Sequence, residues 1–499
     1  MHGAIRKKCT RPAWGLRTTM ALMAPILVSG CALQSQYAAT PLQTQAGWSN
    51  GSADVRVDST PMDSPPVNEN WWSALGDPAI ETLMPTALGD SPTLAQALAR
   101  MDEARAALGS NAAQRLPSVN LETGVERARG AASSGSGTMI SSTANAGLRV
   151  GWELDLFGRV RQSVDAASSR LDARSADARS ARLALSAQLA HGVVGLRACL
   201  FSERVQAADI ASRAAVLELV RKRLSVGKVA QVEEARAASS LADARTRAIS
   251  QQEQCARQTH ALTTLSGQQS SAIRQLLKGS HAADYATSEA STFMPQAPML
   301  ALSLPASVLG AHPDVVAAER EASAAWAEIG VARANRMPRI DLGGLLMGNW
   351  LSAAGSSASQ GTWSLAASLA APLFDGGAGA ANVDAASARH RSAEAGLRQA
   401  VRLAAQDVED ALAGSASAQQ RRGTAQEALA AGRVALRATQ AQWQAGAVSL
   451  FELEETQRQV ASLEDANIAA SRDSAQAWIA LVQASGNTAL VSAATPTHP

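Results

Sequence analysis

The sequence predicts a mainly α-helical protein with a smaller β part. Residues 158–267 and 376–486 resemble two copies of one long helical hairpin. Neither stretch contains proline, and both are rich in Ala, Leu, Arg, Gln and Glu, which are strong helix formers. Outside these stretches, two pairs of segments alternate apolar and polar residues as β strands do. Together these features predict duplicated helical hairpins with four strands in each chain.

The duplication is visible at three separated places. Val164-Asp-Ala-Ala-Ser recurs 219 positions later as Val383-Asp-Ala-Ala-Ser. Gly227 recurs as Gly446, and the Ser-Gly pair at 266–267 recurs, both at the same offset. Three matches at one offset over about a hundred residues indicate an internal repeat.

The N-terminus predicts an export signal over residues 1–30. A basic start is followed by a short apolar run at 20–28 and by Ser29-Gly30. This order is typical of a secretory signal, and the run is too short to span a bilayer. The run ends in Leu27-Val-Ser-Gly-Cys31, which resembles the bacterial lipobox, so we expect lipid on Cys31. The alternative is an ordinary signal with an unrelated cysteine.

The resemblance to lipoproteins also bears on destination. Ala32 follows the cysteine instead of Asp, and this implies transfer to the outer membrane. Several acyl chains on Cys31 would hold the mature chain firmly at the membrane.

The order of motifs divides the chain into six parts. Residues 1–30 are the lipoprotein signal peptide, 31–70 a lipidated linker, 71–267 the first repeat, 268–311 a partly irregular equatorial segment, 312–487 the second repeat and 488–499 the tail. Within each repeat we expect a helix, a β-hairpin (117–157 and 338–374) and a helical hairpin (159–266 and 377–485).

The four strand segments are of the kind found in membrane barrels. Each is about ten residues long or more and alternates in hydrophobicity. Four strands cannot close a lipid-facing barrel, whereas three copies would supply twelve. Two soluble hairpins are the alternative.

Each helical hairpin is expected to turn at its central glycine, Gly227 or Gly446. A first helix from residue 159 to about 224 would be roughly 100 Å long. No single globular core covers such a rod, so the helices must pack along each other across subunits. An ordinary antiparallel coiled coil is the alternative. The expected inward stripe is Val164, Ala167, Leu171, Ala178, Leu185, Leu189, Val193, Leu196 and Leu200.

Two cysteines remain after export and lipidation. Cys199 and Cys255 stand at equal distances along the chain on the two sides of Gly227. An antiparallel hairpin brings the two to the same level, and an exported compartment permits disulfides. We hypothesise a Cys199–Cys255 bridge; the alternative is two buried thiols that face different ways.

The sequence contains no convincing catalytic or nucleotide-binding arrangement. Its 45 basic and 43 acidic residues nearly balance, so there is no nucleic-acid signature. The histidines have no metal-site spacing, and neither CxxC nor HExxH occurs. Gly377-Ala-Gly379 lacks the third glycine of a phosphate loop, because Asn382 stands there. We expect no enzyme activity, cofactor or metal.

These motifs, in this order, resemble the TolC-like outer-membrane factors. The resemblance rests on Cys31, the Trp71-Trp72 pair, the repeated unit, and the corners at Phe157-Gly-Arg and Phe374-Asp-Gly-Gly. More narrowly, the chain resembles the lipoprotein branch of these factors, the NodT family, which serves resistance-nodulation-division efflux pumps. The resemblance implies a homotrimer with a twelve-stranded barrel in the outer membrane and a helical barrel in the periplasm.

The resemblance also implies a function and partners. The chain would be a passive exit duct that works with a periplasmic adaptor and an inner-membrane pump. Its tips, which contact the adaptor, would be Val226, Gly227, Lys228, Val229, Gly446, Ala447 and Val448.

A gate is implied just after the second tip. Phe451 matches an apolar constriction, Glu455 an acidic ring and Arg458 its basic partner. The family often has Leu and Asp at the first two positions, so the side-chain lengths differ. The alternative is an ordinary surface ion pair, since residues three apart on a helix are neighbours.

Two other functions are compatible with these motifs. One is the outer-membrane channel of a type I protein secretion system, which shares the fold. The other is a structural periplasmic coiled-coil lipoprotein, which would have no barrel.

Overall fold

A computed structural model gives the architecture. The structure describes residues 37–38, 45, 47–50, 55–58, 70–131, 138–279, 294–295, 298, 300–303, 305–353, 355–487 and 490–491. The predicted signal peptide 1–30 and the lipidation site Cys31 lie outside the described residues.

Helices dominate the described chain. They are α1 (Pro78–Asp90), α2 (Pro92–Ala113), α3 (Arg159–Ser225), α4 (Gln231–Ser266), α5 (Ser270–Gly279), α6 (Pro305–Ala311), α7 (Pro313–Ala334), α8 (Ala378–Gln444) and α9 (Leu450–Ala484). The strands are β1 (Val55–Asp58), β2 (Ser118–Ala131), β3 (Thr138–Leu154), β4 (Leu300–Ser303), β5 (Arg339–Ala353), β6 (Ser356–Ala370) and β7 (Leu490–Val491). A 3-10 turn at Trp71–Leu75 precedes α1.

The two long hairpins form as the sequence predicts. Helices α3 and α8 are each 67 residues long, and each is followed by a glycine turn and a helix of about half that length. The two turn glycines have left-handed backbone, with φ +70° at Gly227 and +73° at Gly446. Only glycine adopts this conformation readily, so the breaks are set by sequence.

The four predicted strands form one antiparallel sheet in the order β2-β3-β5-β6. The central pair, β3 and β5, joins the two repeats, with Leu148 opposite Leu346. Leu121 and Trp363 continue the same row on the outer strands. The sheet therefore combines both predicted hairpins into one surface.

The two faces of this sheet differ. One face exposes large apolar side chains, among them Val125 at 87% and Leu365 at 81% exposure. The other face carries mainly polar groups, including the ion pair of Glu122 with Arg149. An exposed apolar face on alternating strands is typical of contact with lipid. The exposed apolar residues of that face include Val119, Leu121, Val125, Leu148, Val150, Leu346, Trp350, Trp363, Leu365 and Leu369.

A second, small sheet was not predicted. β4 lies between β1, with which it is parallel, and β7, with which it is antiparallel. Its strands are only two to four residues long and come from distant parts of the chain. Such short strands leave almost no periodic signal in a sequence.

The chain divides into two compact units, each drawn from both repeats. The strand-containing unit includes residues 102–173 and 319–396. It holds the four-stranded sheet, the C-terminal parts of α2 and α7, and the first part of each long helix, α3 and α8. The helical unit comprises 41–101, 174–318 and 397–499.

The main hydrophobic core belongs to the helical unit. Trp71 is 2% exposed, packs against Trp72 and Trp478, and donates its indole N–H to Ser186 Oγ at 3.2 Å. The predicted Trp71-Trp72 entry therefore anchors the start of the folded chain. Other large, fully buried side chains of this core include Ile80, Met84, Leu189, Leu196, Phe201, Leu262 and Ile479.

One expectation for α3 is corrected. Most of the expected inward stripe is buried, although Leu171 is only half-buried. A single apolar stripe predicts that the opposite face is polar and solvated, but over residues 193–201 every residue is buried, including Gly195 and the charged Arg197. The 3-10 turn, α1 and α9 belong to the same core and cover this segment. The periodic pattern failed there because additional elements cover the second face.

Helix α3 is also the one helix in the described ranges with a stretch long and apolar enough to cross a membrane. However, 72% of that stretch is buried inside the chain. A mostly buried apolar stretch is typical of a core helix.

Candidate functional site

The predicted first tip is a tight helix end. The Gly227 N–H donates to Leu224 O at 2.9 Å, and the Lys228 N–H donates to Arg223 O at 2.9 Å. This pair of bonds is a Schellman motif, which satisfies carbonyls at the end of α3.

The second tip has the same geometry. The Gly446 N–H donates to Trp443 O at 3.0 Å, and the Ala447 N–H donates to Gln442 O at 2.8 Å. Both bonds stand 219 positions after their counterparts, so the repeat extends to individual hydrogen bonds.

The predicted tip residues are mainly exposed. Val226, at 64% exposure, is among them, whereas Val229 and Val448 are half-buried at equivalent positions. Val229 packs against a small hydrophobic cluster between α3 and α4. Each turn therefore offers a small, mostly uncharged knob on a rigid base.

The start of α9 sets the orientation of the predicted gate. Ser449 caps the helix, and its Oγ accepts from the Glu452 N–H at 3.2 Å. Leu450 packs against the same cluster, which contains Leu217 and Leu241. Because Leu450 points inward, its neighbour Phe451 points outward and is 60% exposed.

The structure brings the three predicted gate residues onto one face of α9. Phe451 and Glu455 are four residues apart, and Arg458 is three residues further. Glu455 and Arg458 form an ion pair, with side-chain exposures of 57% and 38%. An ordinary surface pair has the same geometry, so a single chain is compatible with both interpretations.

A second set of polar residues on α9 was missed. Glu454 lies beside Arg458 and Arg213, and burial raises the pKa of its carboxyl. Gln457 accepts a hydrogen bond from Ser212 Oγ at 2.9 Å. The available signal was spacing, because residues 454 and 457 follow the inward Leu450 by four and seven positions. These contacts join α9 to the first hairpin behind the gate residues.

The two cysteines of the first hairpin lie together. Cys199 and Cys255 are buried, their Cα atoms are 5.6 Å apart, and their sulfur atoms are 2.05 Å apart. Their equal separation from Gly227 along the chain thus places them at the same level of α3 and α4.

The glycines that partly resemble a phosphate loop form a helix corner. Asp375 Oδ1 accepts from the Gly377 N–H at 2.9 Å, and Oδ2 accepts from the Gly379 N–H at 2.7 Å. A carboxylate thus occupies the amide groups that a phosphate would need. Across the described residues, no group of three or more His, Cys, Asp or Glu is arranged to bind a metal.

These features define a class of protein. Long paired helices, joined directly to strands with one lipid-type face, are typical of a membrane channel that extends beyond its bilayer. The pattern of the outer membrane efflux protein family matches residues 83–268 and 304–487. The chain belongs to that family.

Individual relatives are similar to this chain over most of their length. The chain is 28% identical to the pyoverdine export outer membrane protein OpmQ of Pseudomonas putida over 88% of its own length and 91% of the relative's. It is 26% identical to nodulation protein T of Rhizobium leguminosarum bv. trifolii, over 89% of this chain and 91% of the relative. The solved Campylobacter jejuni CmeC outer membrane channel is 19% identical, with a TM-score of 0.78 over 93% of this chain and 96% of CmeC.

Several predictions are thereby confirmed. The chain has the TolC-like fold and is an outer-membrane efflux channel, with its helical part in the periplasm. The structural coiled-coil lipoprotein and the type I secretion channel are set aside. Members of the family work as homotrimers with adaptor proteins and inner-membrane pumps, and these relatives are channel proteins and not enzymes.

Proposed function

We propose that three copies of this chain form the exit duct of a tripartite efflux pump. In this proposal the sheet of each copy supplies a third of a twelve-stranded barrel. The helical hairpins line a periplasmic bore, and the tips dock a periplasmic adaptor and its inner-membrane pump.

The observation that carries the proposal is that the four-stranded sheet has two long edges without a partner strand in the described chain. β2 and β6 are its outer strands, 14 and 15 residues long, and in the described chain each pairs on one side only. Long unpaired edges are a liability in water and impossible in lipid. Pairing β2 of one copy with β6 of the next removes all the edges when three copies close.

The tips suit an adaptor that recognises shape more than charge. Gly227, Gly446 and Ala447 are small and exposed, and Val226 adds one apolar side chain. Lys228 is the single charged residue among the seven predicted tip residues. Small knobs at helix turns fit grooves between the helices of a partner, as in knobs-into-holes packing.

The gate proposal rests on the exposed face of α9. Threefold symmetry would bring three Phe451 rings and three Glu455 carboxylates around one axis. Like charges around an axis repel each other and favour bound cations or protonation. Arg458, paired with Glu455 on its own helix, offsets part of this charge.

Two covalent features complete the proposal. Lipid on Cys31 would hold the mature N-terminus at the outer membrane. The Cys199–Cys255 bridge would fix α3 to α4 in the first hairpin, and the paired geometry supports it.

The cargo would be small organic molecules delivered by the pump. Pyoverdine is named for one relative. A wide duct fed by another protein needs little recognition in its own walls. Growth of a deletion strain on a panel of antibiotics and aromatic acids would identify the class exported by this chain.

The gate is tested by ion selectivity in planar bilayers. We expect Glu455→Gln to lower the ratio of K⁺ to Cl⁻ permeability at least about twofold, and Arg458→Gln to raise it, because charges in a narrow pore select the opposite ion. Glu253→Gln is the matched control, since Glu253 forms a similar exposed ion pair with Arg257 on α4. Unchanged ratios in both gate variants would contradict the gate, and a wild-type trimer without conductance would contradict the duct.

A further inference from the structure

Two charged side chains lie on the apolar face of the four-stranded sheet. Residues directly opposite each other on antiparallel strands share a face, and successive residues of a strand alternate between the faces. By this pattern Arg127 and Arg129 of β2 share the face of Leu121, and both are exposed. The other charged residues of these four strands, over their described lengths, lie on the opposite face. They are Glu122, Glu126, Arg149, Glu153, Arg339 and Asp341.

The apolar face forms a band of limited height. On β5 the band runs from Ile340 to Trp350, which is roughly 33 Å along the strand. Strands of membrane barrels tilt by about 40°, so this length gives a height of about 25 Å, which is that of the lipid-facing band in such barrels. Trp350, 44% exposed, lies in the last row of the band, where barrels carry an aromatic girdle. The next row along the strands therefore lies at the level of the lipid headgroups.

That next row is polar in all four strands. Its members, paired in order across the sheet, are Arg127, Ser142, Ser352 and Ser357. Arg129 lies one row further, and its Nε donates to Thr138 Oγ1 at 3.1 Å. Both rows are at the end of the sheet opposite to the starts of α3 and α8. Because the helical part is in the periplasm, these rows face the outer leaflet of the membrane.

We propose that Arg127 and Arg129 form a binding site for the phosphate groups of an anionic lipid in the outer leaflet. The guanidinium group offers donors in a fork that matches phosphate geometry. The two Cα atoms are about 6.6 Å apart along the strand, so both side chains can reach one headgroup. No carboxylate of the four described strands shares their face, and the charge of the lipid complements them.

The depth of the two arginines supports this occupant. A charged side chain on the lipid-facing surface is costly at the middle of a membrane and costs little near its interface. Acyl chains of the same lipid would lie along the apolar rows below, which include Val125 at 87% exposure. The inference rests on the proposed barrel and adds to it a bound lipid. In the alternative, the long side chains reach water and bind no particular lipid.

The site is tested by native mass spectrometry of the full-length trimer in detergent, with diphosphorylated lipid A as the probe. We expect Arg127→Gln/Arg129→Gln to weaken lipid A binding about tenfold or more, because two charged donors are lost. Arg149→Gln is the matched control, since Arg149 lies on the opposite face and pairs with Glu122. Equal affinity in the double glutamine variant and the wild type would overturn the site.

A conservative variant and two further probes test what is recognised. Arg127→Lys/Arg129→Lys keeps both charges and should retain most of the affinity. Lipid A whose phosphates have been removed should bind the wild type more weakly than the diphosphorylated probe. Equal binding of these two lipids, or a lysine variant as weak as the glutamine variant, would overturn phosphate recognition. Displacement of lipid A by excess inorganic phosphate would overturn a lipid site.

Failure of the lipid site and failure of the duct give different results. Conductance of the wild-type trimer is measured separately, in planar bilayers without lipid A. A conducting trimer that does not bind lipid A through Arg127 and Arg129 would overturn the lipid site alone. A trimer that binds lipid A and does not conduct would contradict the duct and leave the lipid site standing.

Discussion

Asp155 and Asp375 each accept hydrogen bonds from backbone N–H groups at a strand-to-helix corner, where the two longest helices of the described chain begin. Asp155 accepts from the Val160 and Arg161 N–H groups at 3.0 and 2.8 Å, and Asp375 accepts from two N–H groups at the start of α8. Each carboxylate lies where a strand becomes a helix. It meets the positive end of the helix dipole and orients the rod that follows.

The Asp375 cap predicts a pH-dependent contribution to stability. The backbone N–H groups of Gly379 and Gly377 lower the pKa of this carboxyl below its ordinary value of 3.8. A lowered folded pKa means that the stabilisation is complete above the unfolded pKa and is lost as pH falls through the folded one. We expect Asp375→Asn to lower the trimer dissociation temperature by about 2–4 °C at pH 7, and by progressively less as the pH falls below the ordinary value of 3.8.

The control for this cap is Asp384→Asn, because Asp384 is exposed on the same helix. Heat-modifiability on gels, repeated between pH 3 and 7, measures both variants. An equal loss at both ends of the pH range would show that the charge of Asp375 does not stabilise the corner.

The first hairpin is expected to be cross-linked in the mature protein. Under denaturing, non-reducing conditions we expect no alkylatable thiol, and after reduction we expect two, from Cys199 and Cys255. Two reactive thiols before reduction would contradict the bridge. Replacing both cysteines by serine should cost about 2–4 kcal/mol of unfolding free energy, since the bridge closes a long loop.

The repeat offset predicts where a second bridge can be built. Ala418 and Ser474 stand 219 positions after Cys199 and Cys255, and both are buried, at 1% and 4% exposure. We expect the double variant Ala418→Cys/Ser474→Cys to form a disulfide in the periplasm, with a mobility shift on non-reducing gels. Free thiols in that variant would show that the two hairpins differ in local packing.

A buried ion pair ties the start of the fold to α3. Arg197 Nη2 donates to Asp77 Oδ1 at 2.8 Å, and the two side chains are 6% and 2% exposed. Asp77 also accepts from the Ala79 N–H, which caps α1. Arg197→Ala leaves this carboxylate buried without its partner, and we expect a loss of about 3–5 kcal/mol in unfolding experiments.

The control for the loss of stability in Arg197→Ala is an exposed arginine that also forms an ion pair. Arg257, with 78% side-chain exposure, also pairs with a carboxylate, and Arg257→Ala should cost less than about 1 kcal/mol. The double variant Asp77→Asn/Arg197→Met should recover part of the stability lost in Arg197→Ala. Similar losses for Arg197→Ala and Arg257→Ala would mean that the buried pair does not hold α1 in place.

Much of the fold was predictable because its signals are local and repeated. The start of α3 at Arg159, the turns at Gly227 and Gly446, and the four strands all follow from helix formers, glycine and period-two alternation. Cys199 and Cys255 were also predictable, since a glycine turn fixes which residues of an antiparallel hairpin are level.

The remaining features depend on partners far away in the chain. Periodicity gives no sign that Arg197 is buried, because its partner Asp77 is far away in the sequence. The hydrogen bond that the Ser49 N–H donates to Glu409 Oε1 joins residues that are still more distant along the chain. Periodicity records which face of a helix is apolar and carries no information about which distant segment covers it.

The central claim is that three identical chains enclose a hollow duct. Electron cryo-microscopy of the full-length protein in lipid nanodiscs tests it most directly. We predict a threefold ring with twelve strands in the membrane, a continuous bore along the helices, and a constriction at Phe451 and Glu455. Solitary protomers, or a helical bundle filled along its axis, would contradict the account.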